Sequence, residues 1–208
     1  MTDLPGTPGD IYQFRIWLRG ISPMIWRRIL VPATTHLAAF HTIIQQAFGW
    51  GDCHLHRFHI HGCDYGIWYP GTPGFRDDPT HIRLQDFRFR QHERFLYAYD
   101  FGDGWQHEVR LEQAIPAKPG AVYPTCTGGA RAAPLENCGG PWAFLVLQQQ
   151  FSGYYITQRL ADILSDGDAP ISDYVEELHE LQYWATAHQF DRRDVNRRLH
   201  HALDGGGV

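Results

Sequence analysis

No stretch of about 18 consecutive apolar residues occurs in this chain, so no membrane span is expected. Residues 1–10 have neither a basic start nor an apolar core, which argues against a secretory signal and predicts a disordered lead. Cysteine is scarce, with 4 in 208 residues. Four cysteines (Cys53, Cys63, Cys126, Cys138) in a chain of this size with no export signal make a disulfide scaffold unexpected and reduced thiols in a cytoplasmic protein expected. A His-Glu-x-x-His metalloprotease motif is absent, as are internal repeats. Acidic residues are missing from 11–50, which hold Arg15, Arg19, Arg27 and Arg28; basic residues are missing from 161–180, which hold seven acids. Either the two segments face each other or solvate separate faces, or the first is a basic binding surface.

What is present suffices for a core: 43% of the residues are hydrophobic, enough for one large domain or a core domain with an appendage. Residues 11–19 alternate, with Phe14, Ile16 and Leu18 on one side and Gln13, Arg15, Trp17 and Arg19 on the other, the pattern of a half-buried strand. A Ser-Pro turn leads to a partner strand at 25–31. Thr34 or Thr35 is then placed to cap a helix carrying Leu37, Phe40, Ile44 and Ala47, which Gly49 ends. Strands are expected at 53–61 and 65–68, a loop at 69–78 and a strand or turn at 82–87. An alternating hairpin spans 94–115, its corner formed by Asp103-Gly104, with Trp105 buried. The Gly-, Pro- and Ala-rich stretch 116–141 reads as a long irregular loop. Helices follow at 141–151, 157–164, from Asp173 with Glu176 as its capping partner, and at 191–203. Strands first and helices last give an α+β chain: a mixed, mainly antiparallel sheet with one helix packed on it at 11–140, and a helical region at 141–205 packed beside it.

Four constellations could carry chemistry. The densest is His54-x-His56-x-x-His59-x-His61. Alternation places His54 and His56 on one strand face and His59 and His61 on the other. A same-face imidazole pair begins a zinc site, which Asp103, His107, Cys126 and Cys138 would complete; otherwise these histidines bond to carbonyls and aromatics across the sheet. Asp100, Asp103 and Glu108 could share acid–base work or simply build the turn. Asn137-Cys138-Gly139-Gly140 precedes a helix N-terminus, where an anion site or a plain cap and turn would fit, and Cys138 would need a base such as His107 to act as a nucleophile. Arg15, Trp17, Arg19 and Arg28 mix cations with an aromatic on one sheet face, as nucleic-acid surfaces do, and Arg192, Arg193, Arg197 and Arg198 could add to it.

The words Tyr99-Asp100-Phe101-Gly102-Asp103-Gly104-Trp105-x-His107 resemble the signature of the plasmid pRiA4b ORF-3-like family of bacterial proteins. Ile21 to Arg28, Gly49-Trp50, His54 to Phe58, Tyr123-Pro124-x-Cys126, Asn137 to Pro141, and Phe190-Asp191 with Asn196 and Leu199 extend the resemblance over most of the chain. One stretch departs. The family's loop usually reads near Cys-Pro-Pro-Glu-Asp-Cys-Gly-Gly, whereas here Ala133 and Asn137 replace a cysteine and an acid. The resemblance implies a link to plasmids and mobile elements, and some relatives carry a resolvase label. Ser22 lies in a Ser-Pro turn and no helix-turn-helix follows, so recombinase activity is not carried over. The expectation is a non-catalytic binding or accessory module with a protein or nucleic-acid partner. The alternatives are a metal-dependent hydrolase on the His strand and hairpin, with zinc as cofactor, and a nucleic-acid binder using the Arg/Trp face.

Overall fold

The computed structural model describes residues 10–66, 79–166 and 169–204, with side chains as far as His201. The expected lead and the loop at 69–78 fall almost wholly outside these residues.

Seven strands form one sheet. They are β1 (Asp10–Leu18), β2 (Trp26–Pro32), β3 (His56–Ile60), β4 (Cys63–Tyr65), β5 (Arg94–Tyr99), β6 (Trp105–Pro116) and β7 (Thr125–Ala130), and they lie in the order β4-β3-β5-β6-β1-β2-β7. Every pairing is antiparallel. Alternation sends Phe14, Ile16, Leu18, Ile29, Val31, Phe58, Tyr97, Val109 and Leu111 to one face, where all are buried. Helix α1 (Leu37–Phe48) lies on that face, with the Phe40 ring 5.2 Å from Phe14 and 6.0 Å from Phe58. Helices α2 (Gly140–Gln150), α3 (Gly153–Ser165), α4 (Val175–Thr186) and α5 (Arg192–Asp204) follow. The fold is α+β. The helical region joins the same core: Trp184 of α4 stacks on Phe151 and packs on Phe144 of α2, and α5 lies against α1 and β7. Among the described residues no helix is long and apolar enough to cross a membrane.

Several local expectations change. The stretch 116–141 is not one irregular loop, because β7 lies inside it and pairs with the open side of β2. Asn196 of α5 holds that strand from its other side, accepting from the Cys126 amide at 2.7 Å and donating to the Cys126 carbonyl at 3.0 Å. Neither Thr34 nor Thr35 caps α1. Its first amides are satisfied by backbone instead, Leu37 donating to Ile82 at 2.9 Å and Ala38 to Pro79 at 3.2 Å. Gly49 does end α1, in the left-handed region at φ 76°. The strand expected at 53–61 begins only at His56, because Asp52 is left-handed and the Cys53 amide donates to the Tyr99 hydroxyl at 3.0 Å. The next strand is Cys63–Tyr65; residues 67 and 68 of the strand expected at 65–68 lie outside the described residues. A 3₁₀ turn, Ile171–Tyr174, leads into α4, so Asp173 and Glu176 form no capping box there.

Candidate functional site

The signature words build a corner. The hairpin turn is longer than a two-residue Asp-Gly corner: Asp100 (φ 53°) and Gly104 (φ 70°) take the left-handed positions, and Asp103 does not. The Gly104 amide donates to the Asp100 carbonyl at 2.6 Å. The Asp100 carboxylate accepts from the amides of Gly102 at 3.0 Å and Asp103 at 3.2 Å. Asp103 turns outward instead and accepts the Gly139 amide at 3.0 Å. A Cβ on Gly140 would overlap the Asp103 carbonyl oxygen, so the loop can seat on the turn only with glycine there. Trp105 is buried as expected, and Trp50 stacks on Tyr99 with centroids 5.3 Å apart while its indole donates to Pro134 at 2.9 Å. Glu136 accepts from the Tyr99 hydroxyl and from the Gly51 amide. Asp100, Asp103 and Glu108 are therefore not a shared acid–base set, since Glu108 sits on the opposite sheet face with Arg94.

The six residues expected around a zinc ion separate into different environments. Cys138 does approach Asp103; burial, and then that carboxylate, push its thiol up to about 11, away from nucleophilic use. His54 lies near the same corner, 2.7 Å from Asn137 and 3.6 Å from Asp100. His107 is sealed in the core between Phe48, Trp50 and Tyr97. Cys126 sits on β7, three strands from His107, roughly 14 Å along the sheet, and burial raises its thiol too. Tyr123 closes its own turn by accepting the Lys118 amide at 3.2 Å. A nucleophile–base pair of Cys138 with His107 is likewise not formed. His59 faces outward with Asp64 at 2.6 Å, but His61 leaves the strand in a left-handed turn and binds Glu93.

His56 has different company from that expected. Its ring stacks on His41 of α1 at 3.5 Å and 10°. His41 in turn reaches Asp52 through Nε2 at 2.6 Å and the Tyr97 hydroxyl through Nδ1 at 2.7 Å. Gln45, one turn along α1, donates to the same hydroxyl at 2.7 Å. Burial holds both imidazoles below their ordinary value, His56 down to about 3 with His41 adding to the effect. His41 and Asp52 escaped the motif search. The signal that could have found them is two polar residues, His41 and Gln45, on the helix stripe that otherwise carries Leu37, Ile44 and Phe48 into the core.

The outer sheet face carries the arginines. Register places Arg28 opposite Arg15, Arg15 opposite Arg110, and Arg110 opposite Arg94, one continuous rung across β2, β1, β6 and β5. The neighbouring rung pairs Trp26 with Trp17 and Trp17 with Glu108. Arg19 extends the surface through Gln106 at 3.2 Å. Arg28 binds Glu112 through two bonds of 2.5 and 3.0 Å, Arg110 shares that carboxylate at 3.4 Å, and Arg94 takes Glu108 at 2.7 Å. The Arg15 guanidinium lies 4.7 Å from the Trp26 centroid, Arg28 5.4 Å from it, and Arg94 5.6 Å from Trp17. The rung's carboxylates come from β6. Among the described residues the acidic segment 161–180 binds within its own region, Glu177 with Arg159 and Asp162 with Gln158.

The model of the plasmid pRiA4b ORF-3-like family matches residues 10–198. This chain belongs to that family. An uncharacterized Sinorhizobium fredii protein, y4hQ, is 31% identical over 139 residues, covering 65% of this chain and 70% of its own. The crystal structure of MM3350 from Methanosarcina mazei Go1, a protein of unknown function, is 32% identical with a TM-score of 0.68, covering 90% of this chain and 97% of that one.

Proposed function

We propose that this family member is a non-catalytic binding module whose outer sheet face takes nucleic acid. The arginine rung carries the reading. Like charges directly opposite one another destabilise a sheet, yet four guanidiniums stand in line here, with Glu108 and Glu112 the carboxylates bound to them among the described residues. The row covers three strand spacings, roughly 14 Å, long enough to meet more than one phosphate. Trp17 and Trp26 on the next rung supply flat faces for bases, already held in place by the arginines above them. A net charge of −5 over the chain does not oppose this, because Asp162, Asp166 and Glu177 of the acidic segment bind partners away from the rung. The plasmid and mobile-element link of the family fits a ligand of this class.

The test is fluorescence anisotropy with single-stranded and duplex oligonucleotides over 50–200 mM salt. Binding should weaken linearly in log–log form, and Arg15→Ala and Arg94→Ala should each reduce the slope by about 1. Trp17→Ala should weaken single-strand binding more than duplex binding. Salt-independent binding, or slopes in both arginine variants unchanged from the parent's, would refute the reading.

A further inference from the structure

We propose a binding site for a first-row divalent metal ion of the zinc class, formed by His41, Asp52 and His56 under the Tyr97 hydroxyl. This site is independent of the arginine face, from which the sheet separates it. One ligand atom from each of the three residues lies within 4.8 Å of the others. Two of the residues are core side chains, His41 4% and His56 5% exposed, whereas Asp52 stands at the surface, its side chain 51% exposed. The arrangement is a buried imidazole pair with a carboxylate at its mouth, open on the side from which an ion arrives.

The second observation is His56. Its Nε2 is buried and has no hydrogen-bond partner. A buried polar atom left without a partner costs free energy, and a fold retains one where something else satisfies it. Stacking against His41 at 3.5 Å gives the ring packing but supplies no donor or acceptor.

The surroundings support the ligands. A metal-bound histidine commonly uses its second ring nitrogen to anchor itself, which fixes the tautomer. His41 has this arrangement: Nε2 points to Asp52, and Nδ1 is 2.7 Å from the Tyr97 hydroxyl, which Gln45 also holds. With an ion on Nε2, Nδ1–H donates to Tyr97. The Tyr97 proton then needs an acceptor, and the Gln45 Oε1, buried and otherwise without a partner, provides it once the amide is turned about. One ion thus gives the orphaned buried nitrogen of His56 a partner. Asp52 is positioned by backbone, in the left-handed region at φ 58°, three residues after the glycine that ends α1. Two imidazoles and one carboxylate leave coordination positions open to water or to a ligand, and this donor set suits zinc, iron(II), cobalt and nickel better than magnesium or calcium.

The experiment uses full-length protein purified without a polyhistidine tag, stripped with EDTA, and titrated with Co²⁺ and Zn²⁺. Isothermal titration should give one tight equivalent, Co²⁺ should produce a visible d–d absorption band, and Zn²⁺ should raise the melting temperature. Asp52→Asn, a change at an exposed position, should weaken affinity at least 10-fold, and His56→Gln should do the same with loss of the cobalt band. His59→Gln, on the opposite face, should change nothing. Absence of a stoichiometric equivalent in the unaltered chain overturns the proposal. So does an equivalent that survives Asp52→Asn at full affinity, since the 13 histidines would then be binding elsewhere. Should His56→Gln fail to fold, the Asp52→Asn result decides.

Discussion

His107 makes this fold acid-labile, and the size of the effect follows from its environment. The side chain is fully buried between Phe48, Trp50 and Tyr97, where only the Tyr97 backbone favours its cation and neither ring nitrogen makes a well-formed hydrogen bond. Desolvation therefore holds it down to about 3, against about 6.5 in an unfolded chain. The folded value lies below the unfolded one, so the stabilising contribution is complete above about pH 6.5 and is lost as pH falls towards the folded value, because only the unfolded chain takes up the proton. Each pH unit in that window costs about 1.4 kcal/mol, so from pH 6.5 to 4.5 His107 alone removes about 2–3 kcal/mol. His107→Leu fills similar space and removes both buried nitrogens, so it should be near neutral at pH 7.5. Urea unfolding of both proteins at pH 7.5 and 4.5 separates this histidine from the other titrating groups, since those cancel in the difference. The variant should gain about 2–3 kcal/mol on its parent between the two pH values. Parallel pH dependence of the two proteins would show that the buried imidazole is not the source.

The turn and the thiols provide the other checks. Gly104→Val should cost about 1–3 kcal/mol by denaturant unfolding, and the cost is dihedral alone, since no atom lies within 4 Å of the added Cβ. Gly140→Ala should cost at least as much through its overlap with the Asp103 carbonyl, and a neutral result would mean that the loop is not seated on the hairpin. The four cysteines form no disulfide, and thiol titration of native protein should find the exposed Cys53 reacting first and the buried Cys126 last; two stable disulfides in protein isolated from cytoplasm would contradict the reduced-thiol expectation.

Legibility in the sequence followed contrast in local pattern. The alternation of β1 and the period of α1 were readable because core and solvent sides differ sharply at Phe14, Ile16 and Leu18 and at Leu37, Phe40 and Ile44. Strand β7 was not, because Thr-Cys-Thr-Gly-Gly-Ala has weak strand preference and becomes a strand only against the open side of β2. The arginine face was half readable. Alternation sent Arg15 and Trp17 outward, but only the register of β1 with β6 shows Arg110 and Arg94 continuing the row. His56 was singled out, and its partners were misplaced: proximity in sequence suggested His54, whereas the stacking partner arrives from α1 across the sheet layer. The signature words drew attention as chemistry, and most of them are bound up in seating one loop on one turn.

The hold of Asn196 on Cys126 has a consequence for assembly. A carboxamide that bonds both the amide and the carbonyl of one residue imitates the next strand of a sheet. The ladder therefore terminates in a side chain of α5, and the outer edge of β7 is blunted against recruiting a strand from another molecule. Asn196→Leu, by stripping that counterfeit strand, should expose a sticky border and convert a well-behaved chain into one that grows edge to edge as its concentration rises.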